Sequence, residues 1–376
     1  MKILLINSVC GIRSTGRICT DLARRFISEG HEVKIAYGRV DEVPEEWKPY
    51  AVRIGGDLDL KLHALRTRMT DGHGLGSKNA TRAFLKWAED YQPDLLWLHN
   101  LHGYYINVEL LFRWIKQRPQ MQVKWTLHDC WAFTGHCSHF SFVGCDKWKT
   151  HCSACPQKDR YPISFVDGSS RNYDRKKASF TGVKNMTLIT PSHWLANLAR
   201  QSFLGLYPVE VQPNPIDKSV FRPTEGDFRK RHGLEGKKLV LGVASAWDDR
   251  KGLEDFYQLR NMLPEEFAIV LVGLDEKQLA ALPASIVGIA RTNNTRELAE
   301  IYTTADVYVN PSREETYSMT TAEALSCGTP AIVYEGTACE ETAKQLGGIS
   351  VPQDVNRLCE AILNATAWEG MERSPS

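Results

Sequence analysis

The 376-residue chain contains no apolar run approaching the roughly 18 to 20 residues needed to span a bilayer. It has no excess of either charge: 46 Lys and Arg stand against 45 Asp and Glu, so no whole-molecule field attracts nucleic acid and no nucleic-acid partner is expected. The compositional marks of disorder are also missing, since 43% of residues are hydrophobic and 24% charged, as in ordinary globular chains. The opening MKILLINS is too short and too quickly polar for a secretory signal, which gives the expectation of a cytoplasmic protein. Peripheral contact with the inner face of a membrane stays open in that reading, although the stretch holding Arg113, Lys116 and Arg118 is mixed rather than polybasic. The first strand-to-helix turn, Gly11 to Arg17, has neither G-x-G-x-x-G nor Walker A spacing, which weakens dehydrogenase and phosphoryl-transfer readings. No internal repeat points to a solenoid.

What the sequence does have is alternation. The length exceeds what one core usually supports, so two domains are expected. Apolar, β-rich runs at 2–8, 31–37, 94–101, 122–129, 186–191 and 209–213 read as strands, with helical periodicity at 17–29 and 107–117 between them. A second series begins at Lys238, with strands at 238–244, 267–273, 286–291, 306–310 and 331–334. The Pro-containing, charged stretch 214–236 reads as a hinge and a short helix, and 354–367 as a closing helix. The expected fold class is α/β: two doubly wound, Rossmann-like domains at 1–214 and 215–376, facing each other across a cleft. In such sheets ligands gather at the carboxyl ends of the strands.

Four sites fall at such ends. Glu315 and Glu323 flank the start of a short helix whose first residues, Tyr317, Ser318 and Met319, offer backbone N–H groups suited to phosphate, while the carboxylates suit vicinal hydroxyls. Taken alone, two solvated helix carboxylates is the commoner arrangement. Arg250 and Lys251, before Gly252, open the first helix of the second half, where two cations can neutralise a diphosphate or simply form a basic surface pair. His128 ends a strand in the first half, either lining a ligand site or satisfying nearby backbone. Ser14, Thr15 and Gly16 lie in a loop between the first strand and helix, close enough to a Gly to approach a phosphate.

Together, Glu315-x7-Glu323 with its Ala324 to Pro330 tail, Asn310-Pro311-Ser312, Arg250-Lys251-Gly252, Asn214 to Asp217 and Gly30 to Val33 resemble the GT-B glycosyltransferases of family 4. The resemblance implies transfer of a sugar from a nucleotide-diphosphate donor, with retention, to a glycan or lipid-linked acceptor in polysaccharide biosynthesis, without a catalytic metal. It implies that Glu315 meets the donor sugar, Glu323 the ribose and Lys251 the diphosphate. His128 would stand beside the donor sugar, and Ser14, Thr15 and Gly16 would border the phosphates or acceptor. Thr292 and Asn294 fall where relatives hold the base edge. Two features depart from the family: Thr316-Tyr317-Ser318 stands where many relatives have Gly-Phe-Gly, and Ser245 and Ala246 occupy the place of a usual basic residue. A nucleotide-sugar epimerase on the same fold and a non-catalytic nucleotide-sugar-binding protein are the competing readings.

Cys137, Cys145, Cys152 and Cys155 fall within a loop-rich insertion at about 130–160. Their spacing is compatible with a structural tetrahedral zinc site, with free thiols, or less readily with disulfides. Trp131, Phe133, Phe140 and Trp148 in the same insertion suit either sugar stacking or a small local core.

Overall fold

A computed structural model of the chain describes residues 1–39 and 42–367, so the last nine positions of the second expected domain lie outside the described residues. The chain divides into two compact units, Met1–Pro213 and Asn214–Ser376.

In the first unit the strands β1 (Lys2–Ile6), β2 (Glu32–Tyr37), β3 (Ala51–Arg53), β4 (Leu95–Leu98), β5 (Gln122–Thr126), β6 (Met186–Thr190) and β7 (Val209–Val211) alternate with helices. These are α1 (Arg13–Ser28), α2 (Asp57–Thr70), α3 (Lys78–Tyr91), α4 (Val108–Lys116), α5 (Ser169–Phe180) and α6 (His193–Gln201). All strands pair in parallel, in the order β3-β2-β1-β4-β5-β6-β7. The period of two in a strand sends neighbouring residues to opposite faces. Leu4 and Ile6 accordingly join a core with Leu96, Leu98 and Phe112, whereas Ile3 and Leu5 join another with Val33, Ile35 and Trp97. Both faces are therefore covered, which is why these strands read as unbroken apolar runs.

The second unit opens with the short α7 (Phe228–Arg231) and repeats the plan with β8 (Lys238–Val243), α8 (Leu253–Met262), β9 (Phe267–Val272), α9 (Glu276–Ala281), β10 (Ile286–Ile289), α10 (Thr295–Thr304) and β11 (Val307–Asn310). It finishes with α11 (Met319–Ser326), β12 (Ala331–Tyr334), α12 (Ala338–Leu346), β13 (Ile349–Val351) and α13 (Val355–Ala367). Its sheet is also parallel, in the order β10-β9-β8-β11-β12-β13. In each unit the chain reverses direction beside its first strand, between β1 and β4 and between β8 and β11. That reversal opens a crevice at the carboxyl edge.

Both α/β sheets follow the expectation, with differences at the ends of elements. Several strands stop two or three residues early, and the three-residue edge strands β3 and β13 were not expected. Ser14, Thr15 and Gly16 belong to the first turn of α1, not to a loop as expected. Gly16 is packed closely there: a Cβ would lie 3.0 Å from Val9 Cγ2 and 3.3 Å from the Gly11 nitrogen.

The insertion after β5 contains only three single-turn 3-10 helices. Phe133, Phe140 and Trp148 are buried and their rings meet at 4.8 to 6.2 Å, so these aromatics form a local core rather than a sugar platform. Lys176 of α5 ties the insertion down, donating to the Trp131 and Thr134 carbonyls at 2.7 and 3.0 Å with its ammonium 3.6 Å from the Trp131 ring centre.

Candidate functional site

In the second unit the carboxyl ends of β8 and β11 converge. The loop after β8 is a 3-10 turn over Asp249–Lys251, capped by Asp248, whose carboxylate accepts the Lys251 N–H at 3.0 Å. Gly252 then turns the chain at φ +73°, and a Cβ there would lie 2.5 Å from the Pro311 carbonyl oxygen. This close approach stitches the turn to the loop after β11. Arg313 N–H donates to the Arg250 carbonyl at 2.8 Å, and the Arg250 guanidinium donates to the Glu314 carbonyl at 2.9 Å. Lys251 pairs through Nζ with the Glu315 carboxylate, both side chains about 15% exposed. Burial, with the neighbouring Arg250 charge, pushes the Lys251 ammonium down to about 8. The pair thus holds a cation and a carboxylate at the sheet edge, both largely desolvated.

Asn310, at the end of β11, fixes where α11 begins. Its Nδ2 donates to Ser318 Oγ at 2.8 Å and Thr321 Oγ1 at 3.2 Å, while its Oδ1 accepts from both the backbone and hydroxyl of Ser312. Ser318 sits at φ +77°, a left-handed conformation that favours glycine. The Asn310 bond and a 2.7 Å hydroxyl contact to Thr321 hold the serine in that conformation. Tyr317 is buried, and its carbonyl accepts from the Thr342 hydroxyl, which ties the loop to α12. Met319 opens α11, and Glu323 follows one turn later, its Oε2 accepting from the Tyr302 hydroxyl at 3.0 Å. Sequence reasoning missed Tyr302, which lies on α10 and meets Glu323 only through the fold.

Thr292 and Asn294 stand in the loop after β10, at the same edge of the sheet. Asn294 is engaged as the cap of α10, its Oδ1 accepting the Glu297 N–H at 2.9 Å.

In the first unit, His128 lies two residues beyond the end of β5. It shares a 3.0 Å hydrogen bond with His99, whose ring stacks 5.3 Å away. Burial, reinforced by His102 and opposed by Asp129, lowers His128 to about 4, so this imidazole is neutral at pH 7. A second histidine escaped sequence reasoning. His102 lines a pocket of about 240 Å³ with Thr15, Arg13, Arg39, Asn100 and Tyr161. Asp129 Oδ2 lies 2.7 Å from His102 Nε2, and Tyr161 Oη lies 3.1 Å from Nδ1. A carboxylate only accepts, so the hydrogen bond to Asp129 places a proton on Nε2. Burial alone would raise the Asp129 carboxyl, but His102, His139 and the Trp131 N–H hold it at about 2. The available signal was His99-Asn-Leu-His102-Gly103, which leaves β4 as His128 leaves β5. Extending the strand to Leu101 concealed it.

Cys137, Cys145, Cys152 and Cys155 line one small cleft in the insertion as free thiols. Cys137 hydrogen-bonds Cys155, and Cys152 Sγ accepts the Gly135 N–H at 3.2 Å. Among the described residues, no group of three or more His, Cys, Asp or Glu is arranged to hold a metal ion. The structure thus gathers the four cysteines around one cleft.

Several known proteins are similar to this chain. The profile of the family described as glycosyl transferases group 1 matches residues 237–367. Over the whole chain, the sequence is 26% identical to WcaC of Escherichia coli (strain K12), named as a colanic acid biosynthesis glycosyl transferase, with 95% of that protein covered. A segment covering 30% of the chain is 31% identical to 31% of the N,N'-diacetylbacillosaminyl-diphospho-undecaprenol alpha-1,3-N-acetylgalactosaminyltransferase of Campylobacter jejuni. Among solved structures, sucrose-phosphate synthase of Thermosynechococcus elongatus superposes with a TM-score of 0.71 at 18% identity, over 98% of this chain and 90% of that one. Anabaena HepE in complex with UDP superposes with a TM-score of 0.66 at 12% identity, over 98% and 91%. The chain is a glycosyltransferase of the GT-B fold, and its second unit carries the domain of the group 1 glycosyl transferases.

Proposed function

We propose that the protein is a retaining glycosyltransferase of family 4 that moves a sugar from a nucleotide-diphosphate donor to a glycan or lipid-linked acceptor. The observation that carries this reading is the desolvated Lys251–Glu315 pair, joined through Arg250 to the loop that opens α11. Lys251 and Arg250 are suited to the charge that develops on a departing diphosphate, and Glu315 to sugar hydroxyls. Glu323, oriented by Tyr302, is suited to a ribose. Related structures supply the ligand class: Anabaena HepE is described with UDP and with UDP-glucose. The acceptor class follows the Campylobacter relative, which by its name acts on a diphospho-undecaprenol-linked sugar.

In the proposed mechanism the acceptor hydroxyl attacks from the face the diphosphate leaves, and the departing phosphate oxygen takes its proton. The protein supplies orientation and electrostatic support. Trapping a covalent glycosyl-enzyme would exclude this route in favour of double displacement. Turnover of donor without acceptor into an epimeric sugar would favour the epimerase reading. Intact binding with neither transfer nor slow donor hydrolysis would favour a sensor.

The deciding experiment is thermal stabilisation by UDP, GDP, ADP and dTDP in the parent and in Glu323→Ala, because a ligand raises stability only through preference for the folded state. Stabilisation by one nucleotide, lost in the variant, is the expected result. No stabilisation by any of the four would leave Glu315 and Glu323 as structural carboxylates.

A further inference from the structure

The insertion after β5 has little regular structure, yet it closes around one small cleft. Cys137, Cys145, Cys152 and Cys155 line that cleft together with His136. Its free volume of about 10 Å³ leaves room for one atom-sized guest. His136 is buried, and its Nδ1 lies 2.6 Å from the carboxylate of Asp71, which is also buried. A carboxylate only accepts, so that bond places a proton on Nδ1. The other ring nitrogen, Nε2, is buried with no hydrogen-bond partner among the described residues. An imidazole bonded on one side to a carboxylate, with its second nitrogen directed to a cleft of thiols, is the arrangement of a metal-ligating histidine and its outer carboxylate.

The sulfurs are supported in the same sense. Cys152 Sγ accepts the Gly135 N–H at 3.2 Å, and Cys155 Sγ accepts the Gln157 N–H, contacts that favour thiolate. Lys147 Nζ donates to the Ser153 and Ala154 carbonyls at 2.9 and 3.0 Å, which pins the turn between Cys152 and Cys155. The buried ammonium of Lys176 lies close enough to Cys137 and Cys152 to offset the negative charge that thiolates would bring. As they stand, the side chains are hydrogen-bonded among themselves, Cys137 to Cys155, and do not form a ligating group.

We propose that the cleft binds one zinc ion, held tetrahedrally by four of these five donors, and that the ion fixes the insertion in place of regular secondary structure. Coordination replaces the Cys137–Cys155 hydrogen bond: the ligating thiols release their protons to solvent, and the sulfurs turn onto the metal from side chains that already line the cleft. Soft thiolates disfavour magnesium and calcium, and the cleft is too small for an iron–sulfur cluster. The ion would also steady Tyr161, which leaves the same insertion to bond His102 in the pocket of the first unit.

The test is metal analysis of the full chain, purified under reducing conditions without chelator. One zinc per chain is expected, released when p-hydroxymercuribenzoate caps the thiols. Cobalt(II) added to the metal-free chain should give the strong visible bands of a tetrahedral site and the near-ultraviolet charge transfer of sulfur ligands. Cys152→Ser/Cys155→Ser should hold no stoichiometric zinc, and Asp71→Asn should weaken zinc binding by about tenfold or more. The cobalt spectrum of the parent decides the matter even where a variant fails to fold. The proposal is overturned if the parent takes up neither zinc nor tetrahedral, sulfur-bound cobalt, if it is isolated with iron in place of zinc, or if the double cysteine variant binds zinc as tightly as the parent. Non-reducing mass spectrometry that finds Cys137 and Cys155 joined as a disulfide in the freshly isolated protein would overturn it too. None of these readouts depends on donor or acceptor binding.

Discussion

A lysine buried beside a glutamate at a ligand edge makes binding depend on pH in a direction that can be worked out. Lys251 titrates at about 8 in the empty protein, mainly because burial disfavours the ammonium. A bound diphosphate favours the charged form, so its arrival raises that value. Below pH 8 the lysine is already protonated and UDP affinity should not depend on it. Above pH 8 binding must take up a proton, so the association constant should fall by up to about tenfold per pH unit. Calorimetry in buffers of different ionisation enthalpy would read the proton uptake directly, and Lys251→Met should abolish both the uptake and the slope. Folding of the empty protein runs the other way. The unfolded lysine keeps its proton up to about 10.5, so between 8 and 10.5 the unfolded chain binds more protons and stability rises with pH. A second residue-scale expectation concerns Cys155, which the Cys137 hydrogen bond lowers to about 7 against the raising effect of burial. In the metal-free chain it should be the first of the ten cysteines alkylated by iodoacetamide at pH 7. Protection of Cys155 that is released by a chelator is expected once metal is bound.

Among the elements, the turn from β8 into α8 carries the geometry of the proposed donor end. Gly252→Ala combines a left-handed residue, costing about 1–2 kcal/mol in backbone alone, with a Cβ placed against the Pro311 carbonyl. The two loops should separate, lowering the melting temperature and weakening UDP binding together. Asn310→Ala removes the hub at the end of β11 and strands several buried hydroxyls, an expected loss of about 2 kcal/mol by denaturant titration. Elements of this kind differ in how legible they are. The central strands could be read because burial on both faces makes them continuous apolar runs, as in FAIVLV of β9. The edge strands β3 and β13 could not, being three residues long and half-exposed. The start of α1 was read four residues late because its first turn has no acidic residue and no side-chain cap. Glu315, Glu323 and Lys251 could be named from their spacing, whereas Tyr302 and the Tyr161–His102–Asp129 chain depend on contacts between segments far apart in sequence. Helix α2 defeats pattern reading for a different reason: its apolar face is the one that is not buried.

At the scale of the whole molecule, two parallel sheets are each covered on both faces, and each ends in its own crevice beside its first strand. Every residue of the proposed donor end, from Arg250 to Glu323, lies in the second unit. A ligand stabilises the states in which its site is formed, so its effect on local opening should be greatest in the unit that holds it. Hydrogen exchange with and without UDP should therefore show slower exchange at 249–252 and 313–323, with the strands β1 to β7 unchanged. Glu323→Ala should remove that protection while leaving exchange in the first unit as it was. Protection of equal size at the carboxyl ends of β1 and β4 would contradict this division, because it would place UDP binding on the Arg13, Arg39 and His102 pocket as much as on the Lys251–Glu315 pair. The separation matters for how the reaction is controlled. If donor binding orders only the second unit, the pocket of the first remains available to discriminate among acceptors, and variants there should change acceptor KM while leaving UDP protection intact.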